Sequence, residues 1–87
     1  MEQKIYGITE LNEHIKSILD GAPELAGIYV RGEISNFKVY NPGNCFFTLK
    51  DETGALKCVM YRNQAGRLRF QPQNGMKVIA LGRVAVV

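Results

Sequence analysis

Between Ile8 and Leu19 the apolar residues Ile8, Leu11, Ile15, Ile18 and Leu19 recur at three- and four-residue steps, which gathers them on one face of a helix. The spacing predicts an amphipathic helix over about 10–20. Thr9 is placed to cap it through its hydroxyl, and Glu10 suits the positive end of the helix dipole. Gly21 and Pro23 close the far end, and His14 falls on the polar side as a solvated side chain. After Pro23 the period drops to two. Ile28, Val30, Gly32 and Ile34 alternate with Tyr29, Arg31, Glu33 and Ser35, which predicts a strand with one apolar face. Gly32 lies on the inward side, where the missing side chain permits the sharp coiling that a barrel needs. Asn41-Pro42-Gly43-Asn44 is a turn cluster that ends the segment.

The next two runs predict a hairpin. Cys45-Phe46-Phe47-Thr48-Leu49-Lys50 leads through Asp51-Glu52-Thr53-Gly54 into a second run from Ala55 to Arg62. Asp at the first place and Gly at the fourth suit a tight turn with Gly54 in a left-handed conformation. Alternation puts Phe47, Leu49, Leu56, Cys58 and Met60 in the core, and Phe46, Thr48, Lys50, Lys57, Val59 and Tyr61 outside. A bulge at Gly54 would slip the register by one residue and reverse the facing of one strand. Asn63 to Phe70 reads as a short helix or irregular connector, Pro72 and Asn74-Gly75 mark a break, and a last strand is predicted over 77–87. The predicted order is helix, three strands, short connector, strand.

At 87 residues, with 46% hydrophobic and 22% charged residues, the chain is sized for one globular domain with a modest core. Its apolar runs are far shorter than the ~18 residues that span a bilayer. The N-terminal Met1-Glu2-Gln3-Lys4 has no apolar core of the signal-peptide kind, so the expected setting is cytoplasmic, with no membrane partner. The net charge of +3 is unevenly spread: residues 1–27 sum to −3 and residues 28–87 to +6. A basic body behind an acidic lead-in suits a polyanion binder, although a solvated surface with chance asymmetry gives the same count.

Candidate catalytic chemistry is absent from the pattern. Cys45 and Cys58 lack the partners of a zinc site and read as small buried hydrophobes with reduced thiols. No phosphate-binding glycine loop or nucleophile–base arrangement is present. Two-metal nuclease chemistry needs clustered carboxylates, whereas Asp51 and Glu52 sit at a turn and Glu33 is alone on a strand. We therefore expect no catalytic residue, no metal ligand and no cofactor in this chain. What stands out is a strand face where Phe46 and Tyr61 would lie near one another, flanked by Lys50 and Lys57. Exposed rings stack bases and cations track phosphates. The competing reading is that Phe46 packs against the helix or another domain.

Several runs carry a specific resemblance. Ile8-Thr9-Glu10-Leu11-Asn12, Val30-Arg31-Gly32-Glu33-Ile34-Ser35-Asn36-Phe37-Lys38, Phe47-Thr48-Leu49-Lys50-Asp51-Glu52, Val59-Met60-Tyr61-Arg62, Asn74-Gly75-Met76-Lys77-Val78 and Gly82-Arg83-Val84 resemble the N-terminal domain of bacterial exodeoxyribonuclease VII large subunits. The resemblance covers nearly the whole chain. It implies a mainly β domain over 1–87: an OB-fold, the five-stranded Greek-key barrel lacking its last strand here, preceded by an N-terminal helix. It further implies single-stranded DNA as partner, stacking by Phe46 and Tyr61, and phosphate contacts by Arg31, Lys50, Lys57 and Arg62. The family enzyme degrades single-stranded DNA to oligonucleotides together with a small subunit, whose contacts are expected outside these residues. Asn44 and Phe46 stand where the family often has His and Tyr. Alternatives are a tRNA-binding OB module, as in class II aminoacyl-tRNA synthetases with their Phe-x-x-x-Lys/Arg-Asp hairpin, or a protein-docking domain. Without a fifth strand, the edges near Leu56–Tyr61 and Val78–Val84 are expected to lie unpaired, open either to edge-paired or strand-swapped association or to fraying of a monomer.

Overall fold

The computed structural model describes residues 3–86. They divide into two units, one made of the residues up to Tyr29 with those from Leu81 onward, the other of Val30–Ala80. In the first unit, helix α1 spans Ile8–Asp20. It begins two residues earlier than the spacing predicted, so Thr9 lies inside the helix and does not cap it. Gly7 takes the cap position with extended backbone, and its N–H donates to Glu10 Oε1 at 3.3 Å. The glutamate three residues on thus reaches back to a donor that a threonine cap would have left free. None of the helix residues is buried, and Ile8 is 78% exposed. Tyr6 lies 5.9 Å from the His14 ring and beneath the Lys4 ammonium, so His14 has an aromatic neighbour as well as solvent. A short 3-10 turn, Pro23–Leu25, follows.

Four strands build the sheet, in the order β3-β2-β1-β4: β1 Ile28–Tyr40, β2 Asn44–Lys50, β3 Ala55–Met60 and β4 Lys77–Gly82. The observed order matches the predicted helix, three strands, connector and strand, with helix α2 (Arg62–Ala65) as the connector. The core is small and lies in the second unit, where Ile34, Cys45 and Leu49 are buried. Ile34 faces Leu49 across the β1–β2 ladder and Val39 faces Cys45. The Phe37 and Phe47 rings pack 6.0 Å apart beside them.

The β2–β3 hairpin keeps its alternation without a slip, with Lys50 opposite Ala55 and Cys45 opposite Met60. Gly54 does not adopt a left-handed conformation; the positive-φ glycines are Gly43 and Gly75. The turn is instead set by Asp51, whose Oδ1 accepts the N–H groups of Thr53 and Gly54 at 3.1 and 2.7 Å. A side chain at Gly54 would stand 3.3 Å from that same oxygen, which explains the glycine. Phe47, Cys58 and Met60 are half-buried as alternation requires. Leu56 is not in the core: β3 is an edge strand, and Leu56 is 45% exposed opposite the buried Leu49. Cys58 is half-buried where full burial was expected; both thiols are free.

β1 runs on past Ser35 because one bulge resets it. Ser35 pairs with Thr48 and Lys38 with Phe46, so three steps along β1 match two along β2. Asn36 supplies the left-handed backbone at φ 53°, which asparagine tolerates better than most residues. The Phe37 N–H donates to Asn74 Oδ1 at 2.9 Å, and Ile34 exchanges two backbone bonds with Gly75 and Met76. The stretch read as a plain break before β4 is thus what clasps the bulge.

The last strand ends at Gly82, short of the predicted 77–87. A run of β-branched residues makes a strand only where a neighbour offers a ladder, and Val84 instead donates its N–H to the Leu25 carbonyl at 2.9 Å. Val87, the end of that predicted strand, lies outside the described residues, as do Met1 and Glu2 of the N-terminal stretch. No helix among the described residues is long and apolar enough to cross a membrane.

Candidate nucleic-acid interface

Cross-strand partners share a face of a sheet, so the register fixes what stands on the side away from the core. On β2 these residues are Asn44, Phe46, Thr48 and Lys50; on β3 they are Val59, Lys57 and Ala55. On β1 they are Glu33 and Ser35 before the bulge, then Lys38 and Tyr40 after it. Arg31, two residues before Glu33 on the same strand, continues the row and is exposed. Four of the six predicted binding residues, Arg31, Phe46, Lys50 and Lys57, therefore come together on one outward face.

Phe46 is 40% exposed and its aromatic neighbour is Tyr40, 5.3 Å away and nearly perpendicular at 81°. The predicted partner Tyr61 forms no ring pair with Phe46 among the described residues. It lies one residue past the end of β3, where it starts α2, and its N–H donates to Gln64 Oε1 at 3.4 Å. Tyr61 and Arg62 instead line an open depression with Asn44, Asn63, Gly66 and Arg67. Asn44 builds this corner, because its Oδ1 accepts the Arg62 N–H at 2.9 Å. The Arg62 stem also runs close to Gly43, where a Cβ would meet its Cγ at 3.3 Å.

The charges on the face are unequal in their freedom. Lys50 Nζ lies 3.7 Å from Glu33 Oε2, a half-exposed pair of little energetic weight that still answers part of the lysine charge. Among the described residues, Lys38, Lys57 and Arg31 form no ion pair. Cation-rich surface with exposed rings suits a flexible polyanion that carries stackable bases. The described residues contain no group of three or more potential metal ligands. Hydrogen bonds from Thr53 and Gly54 hold the Asp51 carboxyl below its usual value, so it stays ionised, as befits a turn. Burial pushes the Cys58 thiol up, which makes it a poor nucleophile.

Residues 6–87 match the family model described as an OB-fold nucleic acid binding domain. The chain belongs to that family. Its curated relatives include the exodeoxyribonuclease 7 large subunits of Ruminiclostridium cellulolyticum, 46% identical over 83 residues, and Clostridium acetobutylicum, 47% identical over 83 residues. That of Clostridium novyi is 43% identical over 86 residues. These alignments cover 95–99% of the chain and 20–22% of the relatives, so the chain spans about a fifth of their length. The expected family and the OB-fold assignment are borne out, with a nucleic acid as the class of partner. Within this OB-fold domain, Lys38 and Tyr40 also stand on the outward face that carries Phe46, and sequence reasoning missed them. Counting by twos from Ile34 places both on the core side, and the displaced parity is announced only by Asn36, a residue that favours left-handed backbone.

Proposed function

We propose that this chain is the single-stranded DNA-binding module of an exodeoxyribonuclease VII large subunit. It presents the strand for exonucleolytic degradation to oligonucleotides, in a cytoplasmic setting. The hydrolytic chemistry and the contacts to a small subunit are assigned to sequence beyond the fifth of the relatives matched here. Phe46 and Tyr61 stack bases, and Arg31, Lys50, Lys57 and Arg62 contact phosphates. The observation that carries this reading is the half-exposed Phe46 ring on an outward strand face whose cations, Lys50 aside, have no carboxylate partner among the described residues.

The test is fluorescence anisotropy with labelled oligo-dT, oligo-U and a folded tRNA. Oligo-dT should bind without sequence preference, and its affinity should fall with salt by about 0.7 log units per log unit for each phosphate neutralised. Phe46→Ala should cost about 1–3 kcal/mol of binding. Preference for the folded tRNA would point to an RNA-binding module instead. Loss of all three ligands to background would make the face a protein-docking surface.

A further inference from the structure

We propose that Tyr40 and Phe46 form a stacking corner for a single base, with Lys38 holding the phosphate beside it. The proposal rests on the single-strand reading above and adds a nucleotide subsite to it.

The geometry comes from the bulge. Because Lys38, and not Phe37, stands opposite Phe46, Tyr40 falls on the outward face diagonal to Phe46. The two rings meet at 5.3 Å and 81°, with Tyr40 52% and Phe46 40% exposed. A base lying flat on either ring is perpendicular to the other. Two neighbouring bases that keep their mutual stacking therefore cannot lie on both rings at once. The corner takes one base, its face on one ring and its edge against the second. Each nucleobase has a π-face, so the subsite accepts any of them. Lys38 is exposed beside Phe46 and forms no ion pair among the described residues, which leaves its ammonium free for the adjoining phosphate. Tyr40 and Phe46 also contact each other without a ligand, so the test has to separate stacking on DNA from support of the hairpin.

Anisotropy titrations would compare wild type, Tyr40→Ala, Tyr40→Phe, Phe46→Ala, Tyr61→Ala and the Tyr40/Phe46 double alanine variant. The ligands are labelled oligo-dT and an abasic strand of equal length, and far-UV circular dichroism checks each variant. Tyr40→Ala and Phe46→Ala should each weaken oligo-dT binding about fivefold or more. The double variant should be within about twofold of the weaker single one, because both rings serve one base. Tyr40→Phe should bind as wild type does, and every ring variant should bind the abasic strand as the wild type does. Lys38→Gln should reduce the salt slope by about 0.7 on both strands. If Tyr40→Ala binds oligo-dT normally while Phe46→Ala or Tyr61→Ala does not, the corner is wrong and the single-strand reading stands. Equal losses on oligo-dT and the abasic strand would make Tyr40 a supporting residue only and overturn the subsite. Equal binding of oligo-dT and the abasic strand by the wild type removes the subsite, and failure to bind either strand removes the single-strand reading as well. If Tyr40→Ala does not fold, Tyr40→Leu takes its place, keeping apolar bulk on the strand without a ring.

Discussion

Replacing Gly32 by alanine adds a single methyl group to the inward face of β1, where it would crowd β2. A Cβ there would lie 3.2 Å from Leu49 Cβ, 3.3 Å from the Lys50 carbonyl oxygen and 3.4 Å from the Lys50 nitrogen. Two of these three neighbours are backbone atoms, and Lys50 is fixed from both sides by pairing with Glu33 on β1 and Ala55 on β3. Leu49 is among the most buried residues, 3% exposed, and has little room to withdraw. Overpacking of this kind costs about 1–3 kcal/mol. Alanine recovers about 0.4–1 kcal/mol by restricting the unfolded chain, since Gly32 has no left-handed backbone to forbid a side chain. The difference of the two ranges is about 0–2.6 kcal/mol, centred at about 1.3, and that central value lowers the melting temperature of a domain of this size by about 5–10 °C. Circular dichroism melting of Gly32→Ala beside Gly82→Ala measures it, because a Cβ at Gly82 meets nothing within 4 Å. Gly82→Ala should melt with the wild type or slightly above it. If Gly32→Ala does the same, the strands are not in the close approach described and the reasoning fails.

Leu49→Ala should cost about 2–5 kcal/mol, because Leu49 is 3% exposed and faces Ile34 across the ladder; urea denaturation giving less than about 1 kcal/mol, half the lower limit, would remove it from the centre of the core. Asp51→Ala should destabilise the hairpin turn at neutral pH. The Asp51 carboxyl is held below its ordinary 3.8 by the N–H groups of Thr53 and Gly54, so its contribution is present above that value and fades as the pH falls through the lowered one. The gap in melting temperature between wild type and variant should therefore narrow on acidification, and a gap that stays constant into acid would count against this account. β3 and β4 are the outer strands of the sheet, with Leu56, Ile79 and Leu81 45%, 61% and 65% exposed, so the chain should associate through its edges as concentration rises. Light scattering that reports one mass across a wide concentration series would dispose of that expectation.

Local pattern determined a good deal of this protein. The three-and-four spacing from Ile8 to Leu19 is a property of the segment alone, and the helix forms there. The alternation from Cys45 to Met60 around an aspartate-led turn likewise specified the hairpin, because a two-residue period and a four-residue turn need no distant partner. Arg31, Phe46, Lys50 and Lys57 were legible for that reason. Tertiary structure decided where alternation breaks and where elements stop. The bulge at Asn36 and Phe37 changes the parity of β1, and it is held by Asn74, 37 residues away in the chain. No periodicity within β1 carries that information, so Lys38 and Tyr40 join the outward face of Phe46 only once pairing with β2 is known. The same holds for Tyr61, which leaves β3 to start α2, and for Val84, whose N–H goes to Leu25. Strand propensity says only that a residue suits a pleated surface. Whether it belongs to one depends on a neighbouring strand with free hydrogen-bonding groups, and the three-dimensional fold alone provides that neighbour.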